Sequence, residues 1–306
     1  MKLRFIQLLT VVSCILYLPQ AVAEPLSSTI TGGVFEYSVQ PGDYLIKIGA
    51  RFGVEATALS RDNGLEYSAL LMLEKKLIVN NLHIVPKNKL NGILINLPQR
   101  MLYYFRAGEL ILAYPVGLGK PSWPTPAGEF SVINKATNKA WRVPKSIQEE
   151  MRREGQLVKT EVPPGPKNPL GKHWLGLSIA SIGIHGTIAP ASIYKFQSHG
   201  CIRLHPNDIE TLFSQVELGE AGSIIYAPLL LAESEGKVFL EVHQDIYQKG
   251  DISLAALEKL ASDATLSNDI DWEQAKNILE LQDGIAHEIT LQTNTPLNEK
   301  IVSNKN

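Results

Sequence analysis

Two short segments hold the residue types that decide the fold and the chemistry of this chain: Ile184-His185-Gly186-Thr187 and, after a loop, Ser198-His199-Gly200-Cys201-Ile202-Arg203-Leu204. A cysteine thiol has a reference pKa near ~8.5, so an isolated cysteine is mostly protonated and unreactive at neutral pH. It becomes a nucleophile when an imidazole accepts its proton and the thiolate is held as an ion pair. His185 and His199 are the two candidate imidazoles.

The spacing of these residues predicts a shared pocket. Along an extended chain, residues i and i+2 point to the same face, so His199 and Cys201 are expected side by side. Gly200 lies between them and can adopt a positive φ, which suits a close approach of a substrate carbonyl to backbone N–H groups. His185 ends a β-like run over residues 181–184, so we expect it at a strand end facing the same pocket.

The same residues carry a family resemblance. H-G-T followed by S-H-G-C-I-R-L resembles the active-site signature of the L,D-transpeptidase catalytic domain (YkuD type, similar to ErfK and YbiS). The resemblance implies that Cys201 is the nucleophile, that His185 is its general base, and that Gly186 orients the imidazole through its carbonyl. His199 is the implied supporting histidine. Arg203 is expected to hold a substrate carboxylate in a charge-assisted contact.

Two other readings of the cysteine are open. It can be an inert core residue, or a zinc ligand together with His185, His199 and His205. Structural zinc usually shows paired ligands such as C-x₂₋₄-C or H-x₃₋₅-H, which this stretch lacks. The transpeptidase resemblance implies no metal and no cofactor, and it assigns Ser198 and Gly200 to the substrate-binding loop.

The N-terminus indicates export. Lys2 and Arg4 precede an apolar run over residues 5–18, and the segment ends in Ala21-Val22-Ala23. This pattern is typical of a secretory signal peptide, residues 1–23, cleaved after Ala23. An uncleaved anchor would need an apolar run of ~20 residues, which is longer than this one. A lipid anchor would use Cys14, which lies inside the apolar run. We therefore predict a soluble periplasmic protein.

Composition and export together bear on the cysteine. The chain has 306 residues, 44% of them hydrophobic and 20% charged, with a formal net charge of −2, which gives no nucleic-acid footprint. Cleavage would leave Cys201 as the single cysteine of the mature chain. Because exported proteins usually pair their cysteines in disulfides, an unpaired one indicates a reactive thiol.

The segment 35–86 precedes the catalytic region. A strand over residues 35–40, two short helices and a returning strand over residues 82–86 give a βααβ order that opens with Y-x-V-x-x-G-D and resembles a LysM module, a family that binds N-acetylglucosamine glycans. Asp43 is the expected N-cap, Gly53 the expected helix end, and the apolar run 70–73 is expected to pack on the catalytic domain. Three departures, Tyr44, Gly49 and Asn81, leave open a spacer that has lost its ligand; Asn81 replaces a turn glycine and tolerates left-handed backbone.

Strand-rich sequence follows. The T-P-x-G-x-F type segment at 125–130 and the segments 168–171 and 174–177 also resemble the transpeptidase family, so the resemblance spans about 91–228. The fold class is therefore a mostly β catalytic domain, a YkuD-like β-sandwich with a short helix over 206–216 after the cysteine. The polar loop 138–167, with a helix over 146–154, is either a lid or a surface insertion. Residues 229–306 are expected to form a partly α-helical extension, with helices over 254–261 and 272–281, that is disordered from about residue 290.

A thiol acyl transfer follows from the residues, and the resemblance, together with the predicted export, implies a periplasmic L,D-transpeptidase that acts on peptidoglycan stems. Cys201 would attack a peptidoglycan tetrapeptide stem, release D-Ala, and pass the acyl group to an amine, with backbone N–H groups around Gly200 and Cys201 stabilising the oxyanion. The amine would be the C-terminal lysine of an outer-membrane lipoprotein or the diaminopimelate of another stem. The alternatives are a thiol hydrolase on the same stems and a non-catalytic peptidoglycan-binding protein. No nucleic-acid partner and no membrane segment after cleavage are expected.

Overall fold

The computed structural model describes residues 27–87 and 91–292, so the predicted signal peptide and Cys14 lie outside the described residues. The N-terminal unit, residues 27–87, contains two two-stranded antiparallel sheets and two helices: β1 (Ile30–Thr31), β2 (Val34–Ser38), α1 (Leu45–Phe52), α2 (Ala56–Asp62), β3 (Lys76–Asn80) and β4 (His83–Ile84). Strand β2 pairs with β3, and β1 pairs with β4. The β2–α1–α2–β3 order is the predicted βααβ order.

The returning strand of this unit is displaced from its predicted place. The returning strand is β3, which pairs with β2. Along β3, Leu77 and Val79 alternate with exposed residues and bury their side chains against the two helices. The segment predicted to return, 82–86, contains the separate strand β4. Asn81 lies between the two strands with a negative φ, contrary to the left-handed expectation, and its side-chain amide bonds to Gly33 N–H and the Phe52 carbonyl.

Two further details of the N-terminal unit differ from expectation. Tyr44 is the N-cap of α1, and the Asp43 carboxylate accepts hydrogen bonds from the Tyr37 hydroxyl (2.6 Å) and Gln40 N–H (2.9 Å) instead. The expected packing of residues 70–73 on the catalytic domain is wrong, since Leu70 and Met72 are 97% and 71% exposed. Gly53 ends α1 with a φ of +74°, as predicted.

The central unit, residues 91–226, is dominated by one eight-stranded mixed sheet in the order β15-β13-β12-β9-β16-β5-β6-β7. The elements are β5 (Gly92–Asn96), β6 (Met101–Arg106), β7 (Glu109–Pro115), β8 (Leu118–Gly119), β9 (Gly128–Thr137), β10 (Trp141–Arg142), α3 (Lys145–Arg153), β11 (Glu161–Val162), β12 (His173–Leu177), β13 (Gly183–His185), β14 (Phe196–Ser198), β15 (Ile202–Arg203), α4 (Pro206–Gln215) and β16 (Ala221–Ile225), with a 3-10 turn at Pro190–Ser192. The mostly β class and the helix after the cysteine are confirmed.

Both halves of this sheet contribute to one core. Ile95 of β5 and Ile184 of β13 pack in the same cluster with Leu212 of α4, so the sheet folds over itself around that helix. The opposite face of β5 and β6, with Leu94 and Tyr103, packs instead on Ala50 of α1. Because both faces are covered, β5 is buried along its whole length, which explains its uninterrupted apolar sequence.

The C-terminal unit, residues 229–292, contains β17 (Leu229–Ser234), β18 (Lys237–Val242), α5 (Leu254–Asp263), α6 (Trp272–Leu281) and β19 (His287–Glu288). The two predicted helices are present, and they cover a three-stranded sheet, so the extension is a small α+β unit with its own core. Residues 290–292 are docked, with the Thr290 hydroxyl accepting a hydrogen bond from Val238 N–H; the rest of the predicted disordered end lies outside the described residues. None of the helices in 27–87 and 91–292 has the length and apolar character needed to cross a membrane.

The three units meet at a buried carboxylate. Glu241 of β18 is fully buried and accepts hydrogen bonds from His83 (2.8 Å), Gln99 (2.9 Å), His243 (2.7 Å) and Ile84 N–H (2.5 Å). These partners belong to the N-terminal, central and C-terminal units. We refer to His83, Glu241 and His243 as the junction cluster.

Candidate active site

Two short parallel strands at one edge of the sheet position the predicted site residues. Ile184 pairs with Ile202 and His185 with Arg203, and both isoleucines are completely buried. Burial of the isoleucines fixes the strands in the core, so His185 and Arg203 are held at the sheet edge immediately after them. Cys201 directly precedes the second strand.

The Cys201 thiol is partly buried and protonated at rest. Its sulfur lies 3.7 Å from the Ser181 carbonyl oxygen. Burial raises the pKa of the thiol, while Gly183 N–H and the Arg203 guanidinium act in the opposite direction. A thiol in this state needs a base at the moment of attack.

His185 is buried and its ring is oriented on both sides. Nδ1 lies 2.6 Å from the Gly186 carbonyl oxygen, and the ring stacks on Trp174 with centroids 5.7 Å apart. Because a carbonyl only accepts, Nδ1 carries the proton. Burial and then the Arg203 cation lower the pKa of His185 to about 4, against the opposing effect of the Gly186 and Leu170 carbonyls. His185 is therefore neutral near pH 7 with an unprotonated Nε2.

This electrostatic state differs from the ion pair expected from the sequence. The pKa of the Cys201 thiol is raised and that of His185 is lowered, so both groups are neutral at rest. The physical cause is burial, which disfavours any charged form.

His199 contacts residues other than the nucleophile. Its Nε2 is hydrogen-bonded to Glu150, and its ring meets Trp123 edge-on at 5.0 Å; no hydrogen bond joins His199 to Cys201 within the described chain. Gly200 has a φ of +102°, so the chain turns between the two residues and the alternation of an extended strand does not apply.

Glu150, on α3 of the insertion 138–167, is a site residue that the sequence did not reveal. Its carboxylate contacts both His199 and the Lys120 ammonium (2.5 Å). These contacts with Lys120 and then His199 lower the pKa of Glu150 to about 2. Helix α3 was expected here from its pattern, but the pairing of one of its acids with the S-H-G-C histidine is a tertiary contact.

The nucleophile loop is held by hydroxyl groups. The buried Ser198 hydroxyl donates to the Cys201 carbonyl (2.6 Å) and accepts from Gly200 N–H (3.2 Å), so Ser198 contacts its own loop rather than facing outward as a substrate ligand. Thr125 is fully buried and donates to the Gly200 carbonyl (2.9 Å). Cys201 N–H makes no hydrogen bond to any residue in 27–87 or 91–292, so it is a free donor in this loop.

Arg203 supplies an uncompensated positive charge. Its backbone bonds to Gly117, but its guanidinium makes no hydrogen bond or ion pair with another side chain in the described part of the protein. Burial lowers its pKa, and the nearby Cys201 acts in the opposite direction. An unpaired, half-buried guanidinium beside a thiol is suited to bind an anionic ligand group.

The predicted zinc alternative is not assembled. Within the described ranges, the one group of three His, Cys, Asp or Glu residues close enough to share an ion is the junction cluster, whose ligand atoms lie within 4.8 Å of one another. Its members already hydrogen-bond to one another, and His83 also bonds to the Gly53 carbonyl. His205 instead caps α4 by accepting a hydrogen bond from Asn207 N–H.

A partly accessible thiol, a neutral oriented imidazole, a free backbone N–H and an unpaired guanidinium define a cysteine-dependent acyl-transfer site. Comparison with known families agrees with this class. Residues 91–226 match the L,D-transpeptidase catalytic domain (YkuD), and residues 37–80 match the LysM domain.

Individual relatives match across most of the chain. The chain is 31% identical over 230 residues to the probable L,D-transpeptidase YcfS of Escherichia coli, covering 69% of this chain and 70% of that protein. It is 30% identical over 234 residues to the probable L,D-transpeptidase ErfK/SrfK of Salmonella typhimurium, covering 75% of this chain and 74% of that protein.

Among solved structures, the NMR structure of the Enterococcus faecium L,D-transpeptidase catalytic domain acylated by ertapenem shares 23% identity with a TM-score of 0.35, covering 45% of this chain and all (100%) of that one. The sequence matches are sufficient to place the protein: the chain belongs to the L,D-transpeptidase family and is an enzyme of that class.

Proposed function

We propose that this L,D-transpeptidase acts in the periplasm on peptidoglycan tetrapeptide stems, through a Cys201 thioester that releases D-Ala and is then transferred to an amine. The observation that carries the proposal is that the Cys201 thiol lies near the Arg203 guanidinium, which has no counter-ion among the described residues, at the sheet edge that also holds His185. The proposed export rests on the predicted signal peptide.

In the acylation step, Cys201 attacks the carbonyl of the L-residue that precedes the terminal D-Ala. His185 takes the thiol proton at Nε2, since Nδ1 is committed to the Gly186 carbonyl. The carbonyl oxygen becomes an oxyanion that Cys201 N–H stabilises, a contact often worth ~3 kcal/mol. The C–N bond then breaks, the His185 proton passes to the leaving amine, and a thioester forms.

Arg203 couples substrate binding to the strength of the base. Its cation lowers the pKa of His185 in the free enzyme. A substrate carboxylate paired with the guanidinium neutralises that cation, so the imidazolium formed during attack is less destabilised. Arg203 therefore both holds the stem carboxylate and makes His185 a stronger base once the stem is bound.

In the second step, an amine attacks the thioester, gives its proton to His185 and forms a new amide. Two acceptors fit this chemistry: the C-terminal lysine of an outer-membrane lipoprotein and the diaminopimelate of a second stem. The Glu150 carboxylate, which contacts His199 of the nucleophile loop, also holds the ammonium of Lys120, which supports an acceptor that arrives as a cation.

The N-terminal unit is proposed to bind the glycan part of the same polymer. Its match to the LysM family supports this role. The unit is docked on the catalytic sheet by ion pairs from Arg51 to Asp208 and from Glu55 to Arg100. A glycan strand bound there would be presented at a fixed distance from Cys201, whereas a spacer without ligand would bind no glycan.

Hydrolysis of the same thioester is the second candidate. Water would replace the amine, and the observation against it is the Glu150–His199 hydrogen bond, which joins α3 to the nucleophile loop and supports a lid role for that helix. A non-catalytic binding protein is disfavoured by membership of an enzyme family.

Mass spectrometry of the mature chain with a disaccharide-tetrapeptide tests the proposal. The protein is expected to gain the mass of the donor minus one D-Ala. This covalent adduct should be absent in Cys201→Ala. Adding a lysine-ended peptide or a second stem then identifies the acceptor by its amide product. If the wild type forms no adduct and releases no D-Ala, the proposed donor is refuted.

A further inference from the structure

Tyr247 lies between β18 and α5, in the C-terminal unit and outside the residues that match the catalytic family. Its hydroxyl nevertheless reaches the active-site loop. It donates to the Gly119 carbonyl (2.5 Å) and accepts a hydrogen bond from Thr125 N–H (3.3 Å). Burial raises the pKa of Tyr247, so the phenol keeps the proton that it donates.

Both contacts lead to the nucleophile. Gly119 N–H donates to the Thr125 hydroxyl (3.0 Å), and that hydroxyl donates to the Gly200 carbonyl (2.9 Å). Since Thr125 is fully buried, no water can replace its hydroxyl at Gly200. Tyr247 is therefore joined to the residue before Cys201 by a continuous chain of hydrogen bonds.

The Gly200 carbonyl and the Cys201 N–H belong to one peptide group. A trans peptide is planar, so its C=O and N–H point in opposite directions. Fixing the carbonyl on Thr125 fixes the direction of the Cys201 N–H, which is a free donor in the loop. Gly200 itself, with a φ of +102°, would otherwise allow this peptide to rotate.

Tyr247 is itself rigidly placed. Its ring packs on Phe196 (5.3 Å between centroids) and on Tyr226 (5.8 Å), and its backbone N–H donates to the Tyr226 hydroxyl (2.9 Å). Phe196 begins the strand that leads into the nucleophile loop. The turn that carries Tyr247 is closed by the Asp245 carboxylate, which accepts from Lys249 and Gly250 N–H groups at 3.0 Å.

We propose that Tyr247 is a positioning residue for the acyl transfer: acting through Gly119 and Thr125, it fixes the Gly200–Cys201 peptide so that Cys201 N–H points at the developing oxyanion. The inference rests on Cys201 as the nucleophile of the proposed function. It gives the C-terminal unit a part in catalysis although that unit contributes no group to the reaction itself.

The test compares two reactions of the same thiol in the full mature chain. Acylation by a p-nitrophenyl ester or by the tetrapeptide stem passes through an oxyanion, whereas alkylation by iodoacetamide does not. Tyr247→Phe is expected to slow single-turnover acylation on the order of 10-fold, with KM and the alkylation rate little changed, because only the oxyanion donor is misplaced.

Tyr104→Phe is the matched control. It removes the hydroxyl of a tyrosine on β6 of the central sheet, one bonded to Arg106 (3.0 Å) and the Gln215 carbonyl (3.4 Å), and it should leave both reactions unchanged. Thr125→Val should reproduce the selective loss, and Thr125→Ser, which keeps the hydroxyl, should restore most of the acylation rate. Melting curves establish the temperature at which every variant is folded.

Three results would overturn the inference. They are equal acylation by Tyr247→Phe and wild type, equal slowing of acylation and alkylation, or a Tyr104→Phe loss of the same size. Failure of the proposed donor has a different signature, since the wild type would then react with the ester and iodoacetamide but not with the stem.

Discussion

The junction cluster and the active-site edge both bury histidines next to charged groups. The charged group is fully hydrogen-bonded in the junction cluster and lacks a side-chain partner among the described residues at the active site. In the junction cluster, Glu241 has four hydrogen-bond partners, and its pKa is lowered to about 2 because His83 and His243 outweigh the opposing effect of burial. At the active site, the Arg203 guanidinium has no hydrogen-bond or ion-pair partner among the described residues, and His185 is held neutral. A satisfied charge stabilises the fold, whereas an unsatisfied one is available to a ligand.

The largest expected effect is a loss of acylation at the active site without a loss of stability. Cys201→Ala should reduce acylation by at least ~10⁴-fold, because the nucleophile is lost. The free energy of unfolding should hardly change, since the thiol is partly exposed and makes one long contact to Ser181. Stopped-flow acylation and urea unfolding of the same preparation measure both. Residual acylation in this variant would place the nucleophile elsewhere.

Glu241→Gln should show the reverse pattern. It replaces a buried carboxylate that accepts four hydrogen bonds with an amide whose NH₂ group cannot accept them, and it should lower the free energy of unfolding by about 3 kcal/mol. Acylation per folded molecule should be retained. Glu210→Gln, which breaks the exposed pair with Lys172, is the control and should leave urea unfolding unchanged. Equal stability of Glu241→Gln and wild type would contradict the assigned role of the junction.

The same region predicts how stability responds to acid. The pKa of Glu241 is lowered from 4.5 in the unfolded reference to about 2 in the fold. Its contribution is therefore fully present above about pH 4.5 and is lost as the pH falls toward 2. Urea unfolding between pH 5 and 2 should show a shallower pH dependence in Glu241→Gln than in wild type. Identical slopes would mean that Glu241 does not titrate as inferred.

Arg203→Ala sharpens the comparison at the active site. Loss of a charge-assisted contact should raise the KM for a carboxylate-bearing donor by roughly 10- to 100-fold. Removing the cation should also raise the pKa of His185 above about 4, so the acidic limb of the kcat/KM profile moves to higher pH. Arg203→Lys should preserve the position of that limb. An unmoved limb in Arg203→Ala would exclude His185 as the titrating base.

The smallest effect is expected at helix α3. Glu150→Gln removes the charge that pairs with His199 and Lys120. We expect a few-fold shift of the thioester's fate from aminolysis toward hydrolysis, because α3 is then joined less firmly to the nucleophile loop. The ratio of amide to free acid product, measured by mass spectrometry, reports this shift. Glu149→Gln, one position away on the same helix, should leave the ratio unchanged.

Much of the central unit, and the helices of the C-terminal unit, could be predicted from sequence because their signals are local. The β-like run before His185, Pro206 at the start of α4 and the patterns over residues 254–261 and 272–281 all correspond to observed elements. The errors fell where local pattern was ambiguous. The segments 76–80 and 82–86 are both short and apolar, and only pairing with β2 decides which of them closes the N-terminal unit.

The site was predictable in its residue types but not in its electrostatics. Spacing predicted His199 beside Cys201, whereas the hydrogen bond that His199 makes to Glu150, across a chain turn at Gly200, could not be predicted from spacing. The protonation states of Cys201 and His185 depend on burial by residues far along the chain. Glu150 and Tyr247 carry no motif, so no pattern in the sequence marks them as neighbours of the nucleophile.

The sequence by itself determined the nucleophile motif, the order of the three units and the mostly β class, because each depends on residues that are close together in the sequence. The tertiary structure alone decided which charges are paired, that the C-terminal unit reaches Gly119 and Thr125, and that Glu241 joins all three units. The physical reason is that hydrogen bonds and burial act between residues close in space, and separations of more than 100 positions leave no local trace.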